Sequence, residues 1–399
     1  MTRTSPHLLT LILLTALSVA SLNMFLPSLA NIAADFGVDY ALVSFSVAGF
    51  LGATALVHLT AGPLADRYGR RPVILVAMTV FVFASAICSI ADNIWIFLTF
   101  RTIQSAVAAG AALSLAIVRD TTSKEKSAGL IGYMSMVMAL APMLGPVLGG
   151  FLDAGFGWRS NFYLYTGCGV MLLAICWFDL GETRPKNTKA ARSGAGNLLV
   201  LLKTSTFLAY AFCTAFSTGA FFIFLAGAPF VAAETFGVGT AKLGIYIGSI
   251  TAGFMLGSFL AGKFAPRYHL TTMMIAGRVV ACLGLGVGLI IFLAGVHSAW
   301  LFFGSTIFVG IGNGVTMPGS NTGAISARDG MAGSAAGLNA ALNVGSGAVL
   351  TSLTGFALGI GNPPAVLLIL MLGSSFAGLL AALWARRLDS GENDVLHVG

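Results

Sequence analysis

The chain has 399 residues, 57% of them hydrophobic and 9% charged, with a mean hydropathy of +0.91; a water-soluble globular domain cannot cover that much apolar surface with so few charges. The formal charge of +7 is spread over short loops instead of forming one basic patch, which argues against nucleic acid as a partner and for membrane topology as its cause. Alternating ten-residue strands are absent, which argues against an outer-membrane barrel, and the five cysteines lie inside apolar runs, where they read as buried thiols.

Arg3, the apolar run Leu8 to Leu17 and the small residues Ser18-Val19-Ala20 imitate a signal peptide. The run continues through Pro27 to Leu29, however, and about eleven comparable segments follow, so it is read as a retained first span. Taking ~20 apolar residues per span, helices are expected near residues 8–29, 41–63, 73–91, 95–117, 128–152 and 160–180, then 206–232, 241–262, 272–294, 299–324, 332–356 and 364–385. The polar stretch from Gly181 to Lys203 separates the two sets. The expected organisation is therefore an all-α membrane protein of twelve helices, with a six-helix bundle over 1–180, a cytoplasmic linker over 181–205 and a second bundle over 206–399.

Lys and Arg fall almost wholly on one side of this arrangement. Arg3, Arg67, Arg70, Arg71, Arg119, Lys124, Lys126, Arg184, Lys186, Lys189, Arg192, Lys203, Lys263, Arg267, Arg328, Arg386 and Arg387 lie on one face, against Arg159 and Lys242 on the other. Seventeen against two places both termini and the linker in the cytoplasm of an inner membrane.

Between the second and third spans lies Gly62-Pro63-Leu64-Ala65-Asp66-Arg67-Tyr68-Gly69-Arg70-Arg71-Pro72, four charges between two apolar runs. It reads as a charged hairpin joining two spans. Gly262, Ala265, Arg267 and Tyr268 repeat Gly62, Ala65, Arg67 and Tyr68 at the same spacing, 200 residues on, and Trp95 and Trp300 open corresponding helices. Two parallel six-helix repeats, pseudo-symmetric, with a site between them near the midplane, are the architecture of an alternating-access carrier.

Three motifs resemble those of the major facilitator superfamily and, within it, the twelve-helix drug:proton antiporters of the Bcr/CflA type. Gly62, Leu64, Ala65, Asp66, Arg67, Gly69, Arg70 and Arg71 fit the superfamily's G-x-L-a-D-R-x-G-R-R loop; Arg101-Thr102-Ile103-Gln104 in the fourth span is followed by Arg119-Asp120 at its end; and Gly132 precedes Ala141-Pro142-Met143-Leu144-Gly145-Pro146-Val147-Leu148-Gly149-Gly150, which is similar to the antiporter signature. The resemblance implies the twelve-helix fold of that superfamily. It also implies secondary transport of a small, partly apolar, drug-like solute against proton entry, with an antibiotic-resistance phenotype, without catalysis or a cofactor, by a monomer.

Physical chemistry gives each motif work to do. Asp66 can accept hydrogen bonds from the free amides of a neighbouring helix N-terminus, worth about 0.3–2 kcal/mol, and the helix near Met331 is its partner in the resembling fold. Arg70 can reach Asp120 and latch the carrier's inner side. Arg67 and Arg71 either gate or only set topology. Gly145, Gly149 and Gly150 leave one side of the fifth helix bare for another backbone, while Pro142 and Pro146 bend it; a rocking interface and a static packing groove both fit. Arg101, two turns inside the membrane, is expected to face a watery cavity or a partner, with snorkelling toward the near surface as the alternative, and Gln104 shares its face. Arg278 lies nearer a helix end and is expected to snorkel.

One departure bears on coupling. The Bcr/CflA pattern has an acid in its first helix, in D-M-Y-L-P, where this chain reads Asn23-Met24-Phe25-Leu26-Pro27. Asn23 cannot titrate, so that position has no proton carrier; His58 is the other titratable candidate inside the first half, while Asp35, Asp39 and Glu234 read as external loop charges. Phe207, Tyr210, Phe212, Phe216, Phe221, Phe222, Phe224 and Phe230, with Tyr133 and Tyr246, could line an apolar cavity for amphiphilic solutes. Asn313, Asn321, Asn339 and Asn343 leave sugar or metabolite uptake open. Met134 with Met138, and His269 with Met273, raise copper transport, although thioethers more often fill packing gaps. A membrane sensor without flux is the competing class. No phosphate loop, zinc signature or nucleophile motif is present, so neither an enzyme nor a metal site is expected.

Overall fold

The computed structural model describes residues 6–121, 124–181, 195–264, 267–328 and 331–396, with side chains described on these except at 119–121, 124–129, 131–133, 135–139, 195–198, 332–333 and 390–396. The described residues are helical throughout, without strands. The long helices are α1 (Leu8–Phe36), α2 (Tyr40–Tyr68), α3 (Arg70–Ile90), α4 (Ile94–Val118), α5 (Lys124–Phe156), α6 (Arg159–Asp179), α7 (Ser205–Glu234), α8 (Thr240–Phe264), α9 (Leu270–Leu293), α10 (Ala299–Ser326), α11 (Ala332–Ala357) and α12 (Pro363–Leu396). Among the described residues, eleven helices are long and apolar enough to cross a membrane, and α5 contributes the shorter apolar stretch Leu140–Phe156. Helices satisfy every backbone amide internally, as a bilayer demands.

Several helices outrun the lengths expected from hydropathy. α1 continues to Phe36 because Pro27 does not end it: a single 3-10 turn, Leu26–Ser28, breaks the helix and Leu29–Phe36 resumes it. The stop comes at Gly37, whose φ of 62° is the left-handed cap that glycine adopts without strain. The charged stretch at 62–72 is not a hairpin loop. α2 runs through Asp66 and Arg67 to Tyr68 and α3 starts at Arg70, so Gly69 alone makes the turn, at φ 98° and ψ 157°. Pro63 sits inside α2 and Pro72 in the first turn of α3, where its missing amide has no intrahelical partner to lose. Most of the expected linker lies outside the described residues; the described part forms a short helix, Ala195–Leu202.

The chain divides into two compact units, Met1–Ala191 with Val238–Gly248, and Arg192–Gly237 with Ser249–Gly399. In the first, small residues let helices meet closely: a Cβ on Gly49 would meet Thr102 of α4 at 2.7 Å, and one on Gly169 would meet Val82 of α3 at 2.8 Å. In the second, α7 is buried along most of its length, with Phe207 and Phe224 fully enclosed. Phe207 and Tyr210 pack with Met274, Ala324, Leu338 and Ala382 in that unit's own core, and Phe224 stacks on Phe303 at 6.1 Å. These rings form bundle core instead of the cavity lining expected of them.

Candidate functional site

The polar centre of the first unit is built on two interruptions. α1 breaks at Leu26–Ser28, and α4 carries a 3-10 turn at Gln104–Val107. Arg101, at the end of α4's first segment, has no exposed surface. One terminal nitrogen donates to Gln104 Oε1, and the other donates to the Ser21 carbonyl at 2.7 Å. Gln104 passes the chain on, its Nε2 donating to Ser85 Oγ at 2.6 Å, and Ser85 donates to the Phe81 carbonyl at 2.7 Å. The guanidinium carbon lies 4.1 Å from the Phe25 ring centre and 4.3 Å from that of Phe50, so two aromatic rings supply the electrostatic attraction that no carboxylate among the described residues does.

Arg101 therefore neither opens onto a cavity nor snorkels; it is sealed inside the bundle between α1, α2, α3 and α4. The physical reason is the rings of Phe25 and Phe50, which pack against the guanidinium from α1 and α2. Arg101 Nε finds no partner among the described residues. Asn23 is buried two residues along α1 from Ser21, where its amide donates to the Val19 carbonyl at 2.8 Å and its Oδ1 has no partner among the described residues. His58 does not join this group. It lies eight residues beyond Phe50 on α2, about 12 Å along a helix axis, and makes no hydrogen bond among the described residues.

The other motifs separate in the same way. On α5, a Cβ on Gly145 would touch the Met24 amide at 3.6 Å, and one on Gly149 would collide with the Met24 carbonyl. A Cβ on Gly150 would collide with the Thr240 carbonyl at the start of α8, and Thr240 Oγ1 donates to the Gly150 carbonyl at 3.2 Å. The bare face of α5 is thus occupied by backbone on two sides, with Pro142 and Pro146 inside the helix. Asp66 and Arg67 are exposed and Arg70 is buried; Arg67 stacks on Tyr68 at 5.2 Å. Arg71 does more than set topology: it donates to the Trp177 carbonyl at 2.8 Å and stacks on that indole, tying α3 to the end of α6. The expected Arg70–Asp120 latch involves a side chain outside the described residues, as do Arg119, Gly132, Tyr133, Met136 and Met138.

The second unit holds its own buried guanidinium. Arg278 has no exposed surface, its Nε donates to Thr316 Oγ1 at 3.0 Å and a terminal nitrogen donates to Asn313 Oδ1 at 2.6 Å. Snorkelling is the wrong expectation for it, because α10 offers an amide and a hydroxyl one turn apart at its own depth. Asn339 donates to Asn321 at 2.9 Å, and Thr218 bonds Asn343. All four asparagines raised for sugar binding are thus bonded within the bundle.

Sequence reasoning overlooked Asp153. It is 5% exposed, near the end of α5, and accepts from Asn31 Nδ2 at 2.8 Å, with the Ser28 side chain beside it. Its place four residues after Gly149, on the same helix face, was the available signal. Asp35, expected in a loop, instead closes α1, accepting from Arg159 at 2.6 Å and from Trp158 Nε1 at 3.2 Å.

The profile of the Major Facilitator Superfamily matches residues 11–352. The chain belongs to this superfamily. Among similar proteins, a bicyclomycin resistance protein homolog of Haemophilus influenzae is 28% identical over 351 residues, 87% of this chain and 88% of its own. The multidrug resistance protein MdtL of Escherichia coli is 30% identical over 328 residues, 80% and 81% of the two chains. The superfamily fold is matched by the crystal structure of a bacterial homolog of the human lysosomal transporter Spinster, inward-facing and occupied, at TM-score 0.74, 17% identity and 96% coverage of each chain. The D-xylose-proton symporter matches at TM-score 0.74, 15% identity and 95% and 96% coverage. At such identities these structures speak to fold alone, and the fold is that of a superfamily transporter.

Proposed function

We propose that this superfamily member exports small, partly apolar compounds from the bacterial cytoplasm by alternating access, driven by proton antiport. The observation that carries the reading is Arg101: a guanidinium fully buried at membrane depth, bonded to α1 just ahead of its break, with no carboxylate to neutralise it among the described residues. Such a group costs several kcal/mol to bury, and an intramembrane charge kept at that cost marks a functional path. The relatives named for bicyclomycin and multidrug resistance support a drug-like cargo and the direction of transport.

The charge asymmetry of the loops supports an inner-membrane protein with both termini and the linker cytoplasmic. In that arrangement residues 1–180 and 206–399 act as the two rocking bundles, and the protein works as a monomer without nucleic acid, cofactor or catalysis. Asp66, Arg67, Arg70, Arg71 and Asp120 are assigned to the gate. The bare face of α5 is the surface along which α1 and the start of α8 slide.

The test is transport in proteoliposomes with an imposed pH gradient, using bicyclomycin and ethidium as probes. Saturable flux that rises with the gradient supports antiport. Saturable flux that ignores the gradient replaces it with uniport, and no flux of either probe removes the drug-export reading.

A further inference from the structure

The chain lacks the acid expected on its first helix, yet the structure brings one to that helix from α5. Gly149 lies against the Met24 carbonyl, so one turn later α5 meets the next turn of α1, and there Asp153 faces Ser28 and Asn31. Asn161 of α6, fully buried, completes the group: its Nδ2 lies 3.3 Å from Ser28 Oγ, and its Oδ1 has no partner among the described residues. A buried carboxyl, a hydroxyl and two amides thus line one seam of three helices.

The surrounding charges are committed elsewhere. On α1, Asp35 is paired with Arg159 of α6 at 2.6 Å. Arg159 also donates to the Ala91 carbonyl and stands 3.9 Å from Asp92. Lys242, on the segment that meets α5 at Gly150, is exposed, and α5 carries no other charge between Leu130 and Phe156. Among the described residues no cation touches Asp153.

These partners suit a group that changes protonation. Against the ionised carboxylate the Asn31 amide donates, as observed, and the Ser28 hydroxyl can do the same. Against the acid, Asn31 can turn its carbonyl oxygen inward, and the Ser28 hydroxyl can rotate to accept the new O–H. Neutral partners that serve both states are what a reversible proton site requires, whereas a guanidinium or ammonium would hold the carboxyl in one. Ala154, Gly155 and Phe156, the last residues of α5, are exposed, so the path to the membrane face opposite the Gly69 turn is short.

We propose that Asp153 is a proton-binding site of the transport cycle, loaded from the face opposite the Gly69 turn, in place of the acid that Asn23 lacks. One O–H bond forms on the carboxylate and is later broken; nothing else is transferred. The proposal rests on the antiport reading, and the test separates the two.

Infrared spectra of the full chain in lipid nanodiscs, titrated from about pH 8 to about pH 5 where such a carrier works, are expected to gain a protonated-carboxyl band that Asp153→Asn lacks. In proteoliposomes, Asp153→Asn is expected to keep ethidium or bicyclomycin flux down the probe's own gradient while the response to an imposed pH gradient falls at least about 10-fold. A band unchanged by the substitution overturns the proposal, as does a wild-type gradient response in Asp153→Asn. Wild-type flux indifferent to the gradient overturns antiport itself and takes this role with it. If Asp153→Asn does not fold, Asn31→Ala is expected to displace the midpoint of the band, and an unmoved midpoint overturns the proposal.

Discussion

Arg101 donates a hydrogen bond to the carbonyl of Ser21, 2.7 Å away and 80 residues earlier in the chain. That bond fastens α4 to α1 two residues before Asn23 and five before the 3-10 turn at Leu26–Ser28. The same guanidinium lies between Phe25 and Phe50, so the break in α1, the aromatic face of α2 and the cation of α4 form one unit. A movement of α1 about its break cannot occur without disturbing Arg101.

Replacing Arg101 separates function from stability. Arg101→Met removes a buried charge with no anion among the described residues, which relieves a cost of several kcal/mol, but it leaves the Ser21 carbonyl and Gln104 short of a donor, a loss of about 1–3 kcal/mol per group, and gives up the contacts with Phe25 and Phe50. Relief and loss are of similar size, so the unfolding temperature in detergent is expected to stay level. Transport is expected to fall at least about 10-fold. A variant that unfolds early would instead make Arg101 a structural residue.

The close approach of α5 to α1 is testable at a single carbon. Gly149→Val puts a branched side chain where the Met24 carbonyl lies, and overpacking of that kind costs about 1–3 kcal/mol. Gly155→Ala, six residues on, meets nothing within 4 Å and is expected to be neutral or to stabilise the helix by up to about 1 kcal/mol. Thermal unfolding of the two variants side by side checks the contrast.

The one-residue turn between α2 and α3 makes a similar pair. At φ 98° and ψ 157°, Gly69 occupies a region nearly closed to residues with a Cβ, at about 1–3 kcal/mol. Gly69→Ala is expected to lower stability by that amount. Gly62→Ala, in open space seven residues earlier in α2, is expected to be neutral or to stabilise the helix by up to about 1 kcal/mol, whatever it does to transport.

Arg278 and Asn313 are 2.6 Å apart in the second unit. A double-mutant cycle of Arg278→Met and Asn313→Leu is expected to give a coupling energy of about 0.5–3 kcal/mol by chemical unfolding. A snorkelling arginine would give none.

Much of this protein is written in composition and order. Hydropathy alone places the helices, because a bilayer admits few other structures, and the motifs at Asp66, Arg101 and Gly149 identify the superfamily before any coordinate is known. What the sequence cannot supply is the partner of a polar group. Arg101 faces an open cavity by its depth, but Phe25 and Phe50 close over it from two other helices. Arg278 snorkels by its distance from a helix end, but Asn313 and Thr316 arrive from α10. Asp153 is unremarked at the edge of an apolar run until α1 breaks and turns Ser28 and Asn31 toward it. Spacing along one helix tells which residues share its face, and apolar content tells that the face lies in lipid or protein; which groups meet across helices depends on crossing and depth, which only the packed bundle sets.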